Sequence, residues 1–139
     1  MKQVFIDTSA IISLFDKRDS HHLEAKELLE IIKEKKIRLI TSDYVFDESV
    51  TIAMSHVGHD IAVRLGELIF SSRVIRLVWL NESSKKRAWD YFKRHSDKKY
   101  SFTDCTSFVL MKEKGIHYYC AFDEHFNKAG FINFIHGSL

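Results

Sequence analysis

Apolar and polar positions along this chain change period about every dozen residues. The run Gln-Val-Phe-Ile at 3–6 is short, apolar and rich in β-formers, which predicts a buried strand. Asp7-Thr8-Ser9 interrupts it, and Ala10, Ile11, Ile12 and Leu14 then predict a short helix over 9–15. Beyond Asp19-Ser20, Leu23, Leu28, Ile31 and Ile32 are expected to face inward from a helix over 21–35. Further strands are expected at 37–40, 74–80, 118–121 and 131–135. Helices are expected at 42–57, 59–70 and 83–95, and from Ser101 or Thr103 to 114. Ser42 is suited to cap its helix, and Gly58 and Gly115 to end theirs. Strands thus alternate with helices almost throughout, the pattern of a parallel sheet covered on both faces. The fold class expected is α/β, a three-layer α/β/α sandwich around a central, mostly parallel sheet.

Composition narrows the class without naming a function. The 139 residues fit a single domain spanning 1–139, and a chain with no proline and five glycines offers no linker. Its 45% hydrophobic and 29% charged residues are those of a soluble globular protein. No apolar stretch approaches the roughly 20 residues of a membrane span. The expectation is a protein that starts at Met1, works in the cytoplasm and has no membrane partner. Cys105 and Cys120 make neither a disulfide framework nor a metal spacing, and are expected to be small buried thiols.

The acids change the picture. In open parallel sheets, ligands gather at the carboxyl ends of the strands. The first strand runs directly into Asp7, and the strand at 118–121 runs into Phe122-Asp123. Burying a lone carboxylate costs several kcal/mol, so Asp7 must either cap the next helix or face a ligand such as a cation. On the 42–57 helix, Asp43, Asp47 and Thr51 form a solvated stripe at four-residue spacing. Glu48 instead lies between Val45 and Ile52, at the edge of the apolar arc. Ser101-Phe102-Thr103-Asp104 fits a capping box, which makes Asp104 either a capping acid or a site acid. Each acid alone has a bland explanation as cap, surface charge or turn. Four carboxylates gathered at the same end of one sheet would repel unless cations neutralised them. Hard oxygen donors select Mg²⁺ or Mn²⁺, and such a site suits phosphoryl chemistry.

Four short motifs recur here in order: Phe5-Ile6-Asp7-Thr8-Ser9, the Thr41-Ser42 helix start leading to Glu48, Ser101-Phe102-Thr103-Asp104, and Phe122-Asp123-Glu124-His125-Phe126. Together they resemble a PIN domain, and within that superfamily the VapC-like toxin ribonucleases of toxin–antitoxin pairs, over essentially the whole chain. The resemblance implies an Mg²⁺- or Mn²⁺-dependent endoribonuclease that hydrolyses single-stranded RNA to a 5′-phosphate and a 3′-hydroxyl. Carried over by position, Asp7, Glu48, Asp104 and Asp123 are the catalytic, metal-binding acids. Thr8 or Ser9 would support Asp7 through a hydroxyl, and Thr103 would do so near Asp104. Ala121 departs from the family pattern, in which a Thr or Ser often precedes the last acid by two. The resemblance also implies a homodimer and an antitoxin protein as partner. Ile61, Leu65 and Ile69, at four-residue spacing, could form the dimer surface or be buried within one subunit.

Two other enzyme classes fit poorly. A D-x-D-x-T phosphatase would need an acid where Ser9 stands, and no glycine-rich turn follows the first strand as nucleotide binding requires. A PIN-like module that binds RNA or a protein without cutting is the remaining alternative, and the presence of all four acids argues against it. Residues 85–100 hold seven Lys/Arg, although the net charge of the chain is only +2. Lys85, Lys86, Arg87, Lys93 and Arg94 would either attract RNA phosphates or form a plain solvated face. Trp89 and Phe92, three residues apart within this segment, are expected in the core. His125, beside Asp123, is a candidate substrate contact.

Overall fold

The computed structural model describes residues 2–134. Its first strand, β1 (Gln3–Ile6), is followed by helices α1 (Thr8–Phe15) and α2 (His22–Glu34). Strand β2 (Arg38–Ser42) leads into α3 (Asp43–His56) and α4 (His59–Ser71). Then come β3 (Ile75–Val78), α5 (Glu82–Arg94), α6 (Phe102–Lys114), β4 (Tyr118–Cys120), the short α7 (His125–Lys128) and β5 (Ile132–Asn133). All pairings are parallel and the strand order is β3-β2-β1-β4-β5. Consecutive residues Val4, Phe5 and Ile6 are all buried, although neighbours on a strand point to opposite faces. Both faces of the sheet are therefore covered, and the α/β expectation holds.

The order of the strands decides where chemistry can happen. From β1 the chain moves outward to β2 and β3, then returns to the other side of β1 for β4 and β5. The reversal leaves a crevice beyond the carboxyl ends of β1 and β4. Asp7 and Asp123 follow those two strands. The β1–β4 ladder extends to the crevice, where the Asp7 amide donates to the Cys120 carbonyl at 3.0 Å.

Side-chain orientation departs from the expected pattern in several places. The buried stripe of α2 is Ala25, Leu28 and Ile32, whereas Leu23 and Ile31 are 74% and 40% exposed. At 100° per residue, Leu23 falls opposite that stripe and Ile31 on its flank. In α4, Leu65 and Ile69 are buried within the subunit, so they do not form the dimer surface considered for them. In α5 the buried positions are Ser84, Ala88 and Tyr91. Trp89 and Phe92, expected in the core, are 52% and 37% exposed. Asp43, assigned to a solvated stripe, is half-buried and accepts the Leu80 amide at 3.0 Å, while Asp47 and Thr51 are exposed.

Helix ends follow local chemistry. The Ser42 hydroxyl accepts the Val45 amide, and Gly115 closes α6 at φ 66°. Asn81, rather than a serine, caps α5, which begins one residue earlier than expected. Helix α7 has no counterpart in the sequence pattern because four residues carry no periodicity; Phe126 anchors it in an aromatic cluster with Phe5, Phe108 and Tyr119. The last strand is two residues long, and Ile135, expected to end it, lies outside the described residues. Among the described residues, no helix is long and apolar enough to cross a membrane.

Candidate active site

The crevice beyond β1 and β4 is a cavity of about 520 Å³, and Asp7, Glu48, Asp104 and Asp123 all line it. Asp7 occupies the N-cap position of α1 with an extended backbone, yet its side chain makes no capping hydrogen bond. It is only 4% exposed, and its Oδ1 has no hydrogen-bond partner. Asp7 thus stands at the cap position without the capping side-chain bond that would account for its burial. Burial holds the Asp7 carboxyl well above the usual carboxylate range. The charges of Asp123, Asp104 and Glu48 push it further in that direction, against an opposing effect from the Thr8 amide.

Asp104 arrives by a different route. Ser101 Oγ accepts the Asp104 amide at 3.0 Å, and Asp104 Oδ2 accepts the Ser101 amide at 3.1 Å, a complete capping box. The same Oδ2 meets His125 Nδ1 at 2.7 Å. Asp104 therefore caps α6 and faces the cavity at once. Asp123 Oδ1 accepts the His125 amide at 3.0 Å. Burial raises the Asp123 carboxyl and Asp104 adds to the effect, while the His125 amide and ring oppose it.

The hydroxyls assigned to support these acids do something else. Thr8 Oγ1 is buried without a partner. Ser9 Oγ accepts the Phe122 amide at 2.9 Å, tying α1 to the loop after β4. Asp104 takes its hydrogen bonds from Ser101 and His125, not from Thr103, whose carbonyl accepts the Thr106 and Ser107 hydroxyls. Ala121 is fully buried, and its carbonyl accepts from Asn133 Nδ2 at 3.4 Å.

Residues that sequence reasoning did not assign to the site also line the cavity, among them Asp19, His21, Lys99, Tyr100 and Phe122. Asp19 Oδ1 accepts from Ser13 Oγ at 2.9 Å and from the His21 amide at 2.8 Å. In the sequence it reads only as a helix start. His21 stacks on Phe122 with ring centroids 4.2 Å apart and planes 9° from parallel, at the cavity wall. Lys99 takes a left-handed φ of 57°, uncommon for a residue with a side chain. It is the one lysine of the basic segment on the cavity wall among the described residues. The cations assigned to RNA lie on α5 instead. Lys86 pairs with Glu82, Lys93 with Asp90, and Arg87 with Glu113. His125, the candidate substrate contact, lies on the cavity wall.

The donors suit a hard divalent ion: four carboxylates line one cavity, and one of them has a buried, unpartnered oxygen. Among the described residues, no three His, Cys, Asp or Glu side chains stand close enough together to hold a metal ion between them. An ion held there would complete its sphere with water or substrate oxygens, as Mg²⁺ commonly does.

A family model of the PIN domain matches residues 4–132. The chain belongs to the PIN-domain family. Two curated relatives, each the 23S rRNA-specific endonuclease VapC20 of a Mycobacterium tuberculosis strain, are 35% identical to it over 129 residues. That alignment covers 93% of this chain and 95% of each relative. The crystal structure of M. tuberculosis VapC20, described as a sarcin-ricin loop cleaving toxin, matches with a TM-score of 0.86 over 93% of this chain and 96% of that one. VapBC-1 from nontypeable Haemophilus influenzae matches with a TM-score of 0.66 over 94% and 96% of the two chains. At 15% identity, that likeness concerns the PIN fold alone.

Proposed function

We propose that this PIN-domain protein is an Mg²⁺- or Mn²⁺-dependent endoribonuclease acting on single-stranded RNA, with Asp7, Glu48, Asp104 and Asp123 as its metal-binding and catalytic acids. The observation that carries this reading is the buried, unpartnered Asp7 Oδ1, on an acid that shares its cavity with three other carboxylates whose charges act on it. Such an arrangement is costly in an apo protein and gains its rationale from a cation. The 35% identity to a 23S rRNA-specific endonuclease supports the substrate class and makes ribosomal RNA the first candidate to test.

A bound divalent ion would supply an activated water and neutralise charge developing on the phosphate. The chain's own residues do the rest. Asp7, fixed at the strand end by the hydrogen bond its backbone N–H donates to the Cys120 carbonyl, presents an oxygen that has no competing partner. Asp104 is oriented by its capping box, and Asp123 by the His125 amide. His125 spans Asp104 and the open space, where its ring can meet a phosphate oxygen of the RNA. Lys99 adds a positive charge at the wall where the backbone of the RNA would enter.

We propose further that the protein is the toxin of a toxin–antitoxin pair in the cytoplasm, restrained by an antitoxin protein, as the VapC20 and VapBC likenesses suggest. A homodimer also belongs to this reading. The deciding experiment is cleavage of labelled single-stranded RNA in Mg²⁺ or Mn²⁺. Asp7→Asn and Asp123→Asn are each expected to lower the rate by orders of magnitude while keeping the native circular dichroism spectrum. Excess EDTA should stop the reaction. Cleavage that survives EDTA, or an Asp7→Asn protein as fast as the parent, would overturn the proposal.

A further inference from the structure

Ser101 lines the acid cavity and is the N-cap of α6. Phe102, the next residue, opens α6 beside it and meets three other rings. They are Tyr44 at 5.7 Å, Trp89 at 6.2 Å and Phe92 at 6.3 Å, all close to edge-on. Trp89 and Phe92 lie nearly parallel to one another, 5.7 Å apart and 19° from coplanar. Both are substantially exposed, at 52% and 37%. The Lys85 amino group sits 5.9 Å above the Tyr44 ring, and Lys93 lies one turn beyond Trp89 on α5. A run of contacting rings thus leads from a cationic helix to Phe102, the residue next to the cavity-lining Ser101.

We propose that Trp89 and Phe92, backed by Phe102, form a stacking platform for bases of the RNA next to the bond being cut. The proposal rests on the nuclease reading above and adds to it the residues that grip the bases. Base–aromatic stacking combined with nearby cations is the usual means of holding single-stranded nucleic acid without reading its sequence. A second protein copy is the less favoured occupant, because protein interfaces are depleted of lysine at their core and this patch lies within a Lys-rich helix. Phe102 lies between Ser101 and Asp104 in α6's first turn, and both of those residues line the acid cavity, so the patch adjoins the site and has a purpose that an isolated apolar patch would lack.

The test uses the two tryptophans of the chain. Trp79 is 65% exposed, so Trp79→Phe leaves Trp89 as the single reporter in a folded protein. Titration with a short single-stranded RNA, in Ca²⁺ so that cleavage does not interfere, should quench Trp89 emission. An abasic sugar-phosphate strand of equal length should not. Trp89→Ala should weaken RNA affinity and raise KM about tenfold, the loss expected for one stacked base, with kcat unchanged. The salt slope of binding should stay as in the parent because no cation is removed, and Trp89→Phe should restore affinity. Equal quenching by the abasic strand, or unchanged affinity in Trp89→Ala, overturns the platform. So does a Trp89→Ala protein that loses self-association in light scattering but keeps its RNA affinity, which assigns the patch to a second copy. The quenching measurement decides the matter even if Trp89→Ala fails to fold. A parent that neither binds nor cleaves RNA refutes the nuclease reading itself, whereas a parent that cleaves RNA without a Trp89 response refutes only the platform.

Discussion

Asp7→Asn should stabilise the metal-free protein and weaken it, relative to the parent, once a divalent cation is added. In the parent, Asp7 is 4% exposed, one of its oxygens lacks a partner, and three other acids add to its electrostatic load. Leaving a buried polar group unsatisfied costs roughly 1–3 kcal/mol, and more when it is charged. Asparagine keeps the shape and removes the charge, so most of that cost should disappear in EDTA. For a chain of this size each kcal/mol shifts Tm by roughly 3 °C, which gives an expected rise of roughly 3–10 °C. Adding Mn²⁺ at a hundred times its Kd should stabilise the parent by about 2.7 kcal/mol through binding to the folded state alone. Asp7→Asn, deprived of a ligand, should gain much less, and the order of the two melting temperatures should invert.

The sign of the pH dependence follows from the same shift. A carboxyl raised in the folded state contributes stability that is fully present below its unfolded pKa, and loses it as pH rises through the folded value. The metal-free parent should therefore trail Asp7→Asn most at pH 8. The gap should narrow as pH falls toward the ordinary carboxylate range near 4. Asp123 is raised too, and because its charge acts on Asp7 the difference between the two proteins includes their mutual repulsion, which has the same sign. Differential scanning fluorimetry across pH, with EDTA and with Mn²⁺, reads all of this. A metal-free Asp7→Asn that melts below the parent, or equal Mn²⁺ shifts in the two proteins, would refute the argument.

Three further outcomes are expected. Ser101→Ala removes the hydroxyl that caps α6 and should cost about 1 kcal/mol, seen as a lower midpoint in urea. Burial pushes the thiols of Cys105 and Cys120 up to about 11 and about 12, so a thiol reagent at pH 8 should find neither in the native protein and both in guanidinium. Lys85→Ala/Lys86→Ala should flatten the salt dependence of RNA binding by about 0.7 in log–log slope for each RNA phosphate left without its lysine. Arg87→Ala, which breaks the tie to Glu113 across α5 and α6, should instead show itself in stability.

The alternation of strands and helices is readable in the sequence because it depends on runs of apolar residues that any neighbouring element would bury. Strand order is not readable there, since pairing partners are chosen by tertiary packing. Yet the order matters most for function, because it brings Asp7 and Asp123 to one crevice from opposite halves of the chain. The faces of amphipathic helices are less legible than their existence. Leu23, Ile31, Trp89 and Phe92 are apolar but lie off the stripes that pack inward. Hydrophobicity says that a side chain gains from burial, not that a surface is available to bury it. Asp19 and Lys99 escape a reading by pattern because each sits in a turn, where no periodicity marks direction.

The same limit explains why two acids with similar local sequence take different roles. Both Asp7 and Asp104 stand at helix starts beside hydroxyl residues, and for each the sequence poses a choice between cap and site. For Asp7 the choice is real. Its N-cap backbone geometry is present without the side-chain bond, and the carboxylate is left buried with one oxygen unpartnered. For Asp104 the choice is false. A capping acid at N3 directs its carboxylate back past the first turn, and here the first turn of α6 begins at the cavity rim. One oxygen can accept the Ser101 amide and still face His125 at 2.7 Å. The cap fixes the rotamer of a site residue, so stability and function draw on the same bond. Substitutions at Ser101 should accordingly move both, whereas substitutions at Asp7 should trade one against the other.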